Sequence, residues 1–149
     1  MGRRPARNET GAVFVEFVVV LPFLLFIIFA MVSYGAMFSF RQTLSQAATE
    51  GARAAAVAPA NLSFSDRSTR AITAVNQAFQ GEPGGGLACG SGGLTCTIPS
   101  TPTTCGTATE CISVTVSYAY AAHPRVPVPQ FFGFALPTTL RYTASARIS

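Results

Sequence analysis

Three kinds of residue in this chain could do chemistry: one carboxylate beside a long apolar run, four cysteines and a single histidine. The carboxylate is Glu16. It stands five residues after Gly11 and directly before Phe17, and from Phe17 to Val32 no side chain carries a charge or a hydrogen-bonding group. A carboxylate costs about 2.5–3.5 kcal/mol at mid-membrane and less near the interface, so a simple anchor gains nothing from it. Its use must lie in a partner. If a peptidase cuts after Gly11, Ala12 acquires a free ammonium group near the membrane interface and Glu16 becomes the fifth residue of the shortened chain. Opposite charges about 4 Å apart attract by about 4 kcal/mol at an effective dielectric near 20, which offsets much of the cost of holding both out of water. In a staggered bundle the carboxylate can meet the ammonium of a neighbouring helix. A buried polar pair that sets register is the best-attested role for such groups.

Cys89, Cys96, Cys105 and Cys111 punctuate a Gly-, Thr-, Ser- and Pro-rich segment too polar to order itself by burial. There is no Cys-x-x-Cys pair and no histidine nearby, so zinc is not expected. Two disulfides are, in any of three pairings, of which Cys89–Cys96 with Cys105–Cys111 is the most local. His123 lies in a proline-rich loop with no acid near it in sequence, which makes it a surface or structural residue rather than a base. The acids are too scattered for a metal cage or an acid/base pair. All ten basic residues are arginine, which removes Schiff-base chemistry, and the seven glycines of residues 81–93 lack the Gly-Lys-Ser/Thr ending of a phosphate-binding loop. The net charge is +4, of which Arg3, Arg4 and Arg7 against Glu9 supply +2, leaving no patch suited to nucleic acid. No enzyme activity, cofactor or small-molecule substrate is expected.

The elements that position these groups follow from the hydropathy pattern. Residues 1–11 form a short basic leader. Residues 12–40 read as a membrane-spanning helix, broken only by Glu16, Pro22, Ser33, Gly35 and Ser39, with Pro22 expected to bend or loosen it. Arginines 3, 4 and 7 before the span outweigh Arg41 and Arg53 after it, so the N-terminus belongs in the cytoplasm and the rest outside, in an oxidising compartment that suits the cysteines. No helix breaker occurs between Arg41 and Pro59, so the helix continues over residues 41–58, with Leu44, Ala48, Gly51, Ala52 and Ala55 forming a narrow stripe expected to pack on the chain's own domain.

Residues 59–149 form a small α+β domain. A second helix is expected from Ser65 or Asp66 to Gln80, with Ala71, Ile72, Val75, Ala78 and Phe79 on one face. Ile112, Val114, Val116, Tyr118 and Tyr120 alternate with polar residues, as do Leu140, Tyr142, Ala144, Ala146 and Ile148. These are two one-faced strands of a small antiparallel sheet whose apolar face the helices can cover. Phe131, Phe132 and Phe134, in the crossing between them, either close the sheet's edge or form a contact patch.

The basic leader ending in Gly11, the Gly-x-x-x-x-Glu-aromatic pattern from Gly11 to Phe17, the apolar helix with Pro22 and the continuation from Arg41 through Ala56 together resemble the TadE-like proteins, minor pilins or pseudopilins of the tight-adherence pilus system. The resemblance is close over residues 8–57. It implies a pilin-like α+β fold with a long N-terminal transmembrane helix extending outside the membrane. It also implies cleavage between Gly11 and Ala12 by a prepilin peptidase, Glu16 and Phe17 as assembly residues, and partners among the other pilins and Tad assembly proteins. The location implied is the bacterial inner membrane, single-pass, with the C-terminal domain periplasmic, the protein either staying there or entering the fibre used for surface attachment. The competing reading is an unprocessed single-span envelope protein whose outer domain binds a ligand or scaffold.

Overall fold

A computed structural model describes residues 10–81, 86–106, 109–125 and 137–148. The basic leader before Thr10 and the Phe131, Phe132 and Phe134 segment lie outside the described residues. The chain divides into two units, residues 1–36 and residues 37–149. In the first, the described chain is all helix. Helix α1 runs over Thr10–Ala56, 47 residues, continuing through Pro22 and across the unit boundary. Its apolar side chains in this first unit are exposed: Phe14 is 68 % and Phe17 57 % accessible.

The second unit is built on the last five turns of α1. Phe40, Leu44, Ala47, Ala48, Ala52 and Ala55 are buried, the i, i+4 spacing of one helical face, so the small-residue stripe packs on the chain's own domain as expected. Pro59 lacks the N–H to extend α1 and ends it, and a turn from Leu62 N–H to the Pro59 carbonyl leads into helix α2, Phe64–Ala78. The helix begins slightly earlier than the sequence suggests because Ser63, rather than Ser65 or Asp66, is the N-cap. Its Oγ accepts from the Asp66 N–H at 3.2 Å, the N-cap bond, and donates to the Asp66 carboxylate at 2.6 Å, which holds the hydroxyl in place. Ala71, Val75 and Phe79 form the buried face, while Ile72 at its margin stays 37 % exposed.

Four antiparallel strands follow: β1 (Leu94–Thr97), β2 (Thr103–Cys105), β3 (Thr109–Tyr118) and β4 (Leu140–Arg147). β3 is the centre. β4 pairs along one edge from Cys111↔Arg147 to Tyr118↔Leu140. β1 and β2 share the other edge, β1 opposite residues 115–118 and β2 opposite residues 109–111. Residues 112, 114, 116 and 118 face inward with Leu94 and Leu140, and α1 and α2 cover them. Alternation puts Ser113, Thr115 and Ser117 on the other face, where hydroxyls pair across the strands: Ser113 with Ser145 and Thr115 with Thr143, each at 2.8 Å. These cross-strand pairs fix register.

The short strands carry the cysteines, and the pairing is the local one. Cys89 bonds Cys96 on β1 with Cα atoms 5.3 Å apart, and Cys105 on β2 bonds Cys111 on β3 at 5.9 Å. Cys96, opposite Val116, is on the inward face, whereas Cys111 shares the face of Ser113, so one disulfide ties each side of the sheet. Each closes a loop of about seven residues, for which loop-closure entropy gives about 2–3 kcal/mol. Replacing either pair by alanines is expected to lower the unfolding free energy from denaturant titration by that amount, and an unchanged midpoint would show that the strands order without the bond.

Candidate functional site

The exposed part of α1 is the candidate site. An 18-residue window of this helix has a mean hydropathy of 2.9 with none of it buried, so the helix is long and apolar enough to cross a membrane. Glu16 is the sole charged side chain on the described helix before Arg41. It is exposed, among Val13, Val15, Phe17, Val19 and Val20, all of them more than half accessible. Residues three and four positions away in a helix are the ones a side chain can reach. For Glu16 these are Ala12, Val13, Val19 and Val20, so no side chain within a turn can pair with it. Gly11 lies a turn and a half earlier in the same helix, with open space around its Cα. The structure therefore brings Gly11, Glu16 and Phe17 onto one exposed helix.

The other chemical candidates are spent on structure. All four cysteines are in disulfides, which leaves them unavailable to a metal. His123 is exposed but its ring lies against Gly93, where a Cβ would collide with the imidazole, and Gly93 adopts a φ of +81°. The His123 carbonyl accepts from the Tyr118 hydroxyl at 2.7 Å and its N–H donates to the Ala119 carbonyl at 3.0 Å. It closes the turn after β3, the structural role expected of it. Nearby Tyr120 is buried, and burial, with Tyr118 beside it, raises its phenol above the ordinary 10.0. An open depression of about 280 Å³ lies between the α1–α2 connection and the sheet, lined by Leu62, Phe64, Arg67, Pro102, Glu110 and neighbours. It holds no nucleophile.

Two residues in the domain matter in ways the sequence reading missed. Arg67 is 5 % exposed, and its Nη1 and Nη2 donate to the carbonyls of Ala55 and Pro59 at 3.3 and 3.1 Å. A guanidinium thus caps the C-terminus of α1, where the last carbonyls lack partners and the helix dipole is negative. The signal was present, because Arg67 falls on the same i, i+4 row as Ala71, Val75 and Phe79. Hydrogen bonds to charged groups are worth about 1.5–3 kcal/mol. Arg67→Met, which keeps most of the volume and removes the donors, is expected to cost about 2–3 kcal/mol in denaturant unfolding of the full chain. A loss below 0.5 kcal/mol, roughly the noise of a surface change, would show that water caps the helix equally well. The second residue is Arg125, whose guanidinium carbon lies 5.0 Å from the Phe40 ring centre and 5.8 Å from that of Tyr118. No local pattern announces such a long-range contact.

Comparison with known proteins gives a family match over the N-terminal helix. The model of the TadE-like protein family matches residues 11–53, beginning at Gly11 and running through Glu16 into the helix that the domain packs against. Neither a curated protein nor a solved structure matches the chain. That family is pilin-type and generally non-enzymatic. The disulfides suggest that the folded domain is extracytoplasmic. Taken with the exposed apolar helix, the match identifies residues 11–53 as a TadE-like domain.

Proposed function

We propose that the chain is a minor pilin or pseudopilin of a Tad-type adhesion pilus, cut by a prepilin peptidase between Gly11 and Ala12 and aligned in the assembly by Glu16. The observation that carries this is the exposed Glu16 carboxylate, set in an apolar helix five residues after the glycine at which the TadE-like match begins. Its cost in the bilayer is offset by a cation, and cleavage creates one at Ala12. Within one chain the two groups are about a turn apart on α1; between staggered chains the carboxylate of one meets the ammonium of the next, and the apolar faces supply adhesion while the charge pair supplies register. Phe17, beside Glu16 and exposed, packs in the same contact.

In this reading the chain enters the bacterial inner membrane once, with the leader in the cytoplasm and residues 37–149 in the periplasm. Its partners are the peptidase, the other pilins and the Tad assembly proteins. The domain contributes a stable head whose core grips the upper part of α1. The test is the intact mass and N-terminal sequence of the protein from membranes of its native host. A chain beginning at Ala12 supports the reading. One still carrying the arginines of the leader would leave Glu16 without its cation and overturn it.

A further inference from the structure

The sheet has two outer edges, and they are finished differently. Along β1, Ala119 N–H donates to the Gly93 carbonyl at 3.0 Å, so the antiparallel alternation turns the backbone groups of Leu94 away from β3. Both of those groups are used by the loop before the strand: the Leu94 carbonyl accepts from Gly90 N–H at 2.9 Å, and Leu94 N–H donates to the Ser91 carbonyl at 3.0 Å. The Cys89–Cys96 bond holds that loop in place. At β4, Ile148 N–H donates to the Glu110 carbonyl at 2.9 Å, one step beyond the Cys111↔Arg147 pair. The residues whose backbone turns away from β3 are therefore Arg141, Thr143, Ser145 and Arg147. Among the described residues β4 pairs with β3 alone.

An unpaired edge is a template for a further strand, and proteins blunt such edges with a proline, a bulge or a very short strand. β4 has none of these: it runs eight residues in unbroken register with β3, about 27 Å, with no proline. What it carries is an arginine near each end. Arg141 and Arg147 are exposed on the outward face, with Thr143 and Ser145 between them. On the inward face Tyr142, Ala144, Ala146 and Ile148 pack on the core but stay only partly buried, at the margin of the sheet. The arginines decide what can pair here. Laid antiparallel on a second copy of itself so that all four outward residues engage, β4 sets Arg141 opposite Arg147 twice, and like charges directly opposite destabilise a sheet. The chain offers no matching strand elsewhere, because no two of its six acids stand at the same six-residue spacing as Arg141 and Arg147.

We infer that the outer edge of β4 is a docking site for an extended segment of a different protein, acidic at the two positions that face Arg141 and Arg147. Main-chain bonds to the N–H and C=O groups of the four outward residues hold the segment, and its alternate side chains select it. Its carboxylates meet the two guanidiniums, whose planar forks match them. Polar residues lie beside Thr143 and Ser145, and apolar ones extend the inward face beyond Tyr142, Ala144 and Ala146. The pattern recognised is acid, apolar, polar, apolar, polar, apolar, acid. This edge belongs wholly to the unit of residues 37–149, so the docking does not depend on cleavage of the leader or on the membrane-spanning reading of α1.

The probe is a labelled, end-capped peptide, Ser-Glu-Val-Thr-Val-Thr-Val-Glu-Ser, titrated into the full chain in detergent at low salt and followed by fluorescence anisotropy. Saturable binding is expected below about 1 mM, and the same peptide with both Glu replaced by Lys should bind at least about tenfold more weakly. Ser145→Pro removes an outward N–H and puts a ring in the path of the added strand while sparing the bonds to β3. It should lower the affinity at least about tenfold, whereas Ser145→Ala, which keeps the N–H, should bind as the wild type does. Arg141→Gln combined with Arg147→Gln removes both cross-strand charge pairs and should weaken binding about three- to tenfold. These two exposed substitutions carry the test if the proline variant does not fold. No saturable binding, equal binding of the Glu and Lys peptides, or equal binding by the wild type and a folded Ser145→Pro would overturn the docking site. A dimer of the full chain that forms without peptide and that Ser145→Pro returns to monomer would overturn it as well, by making a second copy the occupant.

Discussion

Replacing Glu16 with alanine is expected to leave the protein in the membrane and to lower its incorporation into pili or pilus complexes at least tenfold. The two halves of that result have opposite physical causes. Removing a carboxylate from the apolar helix deletes a cost of up to about 2.5–3.5 kcal/mol at mid-membrane, so insertion should be unchanged or improved. Removing it from an assembled bundle deletes an attraction of about 4 kcal/mol at most, and a net loss of about 1.4 kcal/mol per contact already gives a tenfold change in an equilibrium constant. Glu16→Asp keeps the charge on a shorter stem and should fall between the two. The measurement is the fraction of tagged protein recovered in sheared fibres, or crosslinked to other pilins, relative to the membrane fraction. Wild-type incorporation of Glu16→Ala would sink the register role, and absence of even the wild-type chain from fibres and pilin crosslinks would leave the single-span envelope reading, in which the carboxylate is idle. Gly11→Leu separates processing from register, because it should block the cut while leaving Glu16 in place.

The features legible in the sequence were those written as long, uninterrupted periods. Val114 to Tyr118 and Leu140 to Ala146 alternate strictly, and they are the paired strands β3 and β4. Helix α1 was legible from 29 residues with few polar interruptions followed by an Ala-rich stretch without a breaker. β1 and β2 were not. Thr103–Cys105 contains no large apolar residue, and in Leu94–Thr97 only Leu94 is large and apolar, so periodicity has nothing to register; they are ordered by β3, whose edge they complete. The disulfide pairing was one of three for the same reason. Only after β2 folds back on β3 do Cys105 and Cys111 come within bonding distance. For the candidate site the situation is reversed. Gly11, Glu16 and Phe17 stood out in sequence because they break a pattern, and the fold of a single chain adds their exposure while the described residues within a turn of the carboxylate are all apolar.

Gly51→Val is expected to be the most damaging single substitution in the domain, at more than about 3 kcal/mol. At Gly51 α1 passes close to both α2 and the sheet. A Cβ built there would lie 2.7 Å from Val75 Cγ2, 3.3 Å from the Ala71 carbonyl oxygen and 3.3 Å from Val114 Cγ1. Val75 and Val114 are fully buried, and a β-branched side chain has few alternative rotamers into which to retreat. Even alanine must push α1 and α2 apart, so its gain of about 1 kcal/mol in helix propensity is consumed by an overpacking cost of about 1–3 kcal/mol. Valine adds two methyl groups in the same confined space. Gly81→Ala is the control, because a Cβ at Gly81 meets nothing within 4 Å, and its effect should stay within about 0.5 kcal/mol. Denaturant midpoints of the full chain in detergent, together with the steady-state level of each variant in membranes, read the difference. If Gly51→Val unfolds at the wild-type midpoint, α1 does not pack against α2 and β3 as closely as the geometry requires. If it unfolds early while Glu16→Ala unfolds normally yet fails to assemble, stability and assembly separate along one helix: Gly51 serves the folded head, and Glu16 serves the contact with the next subunit.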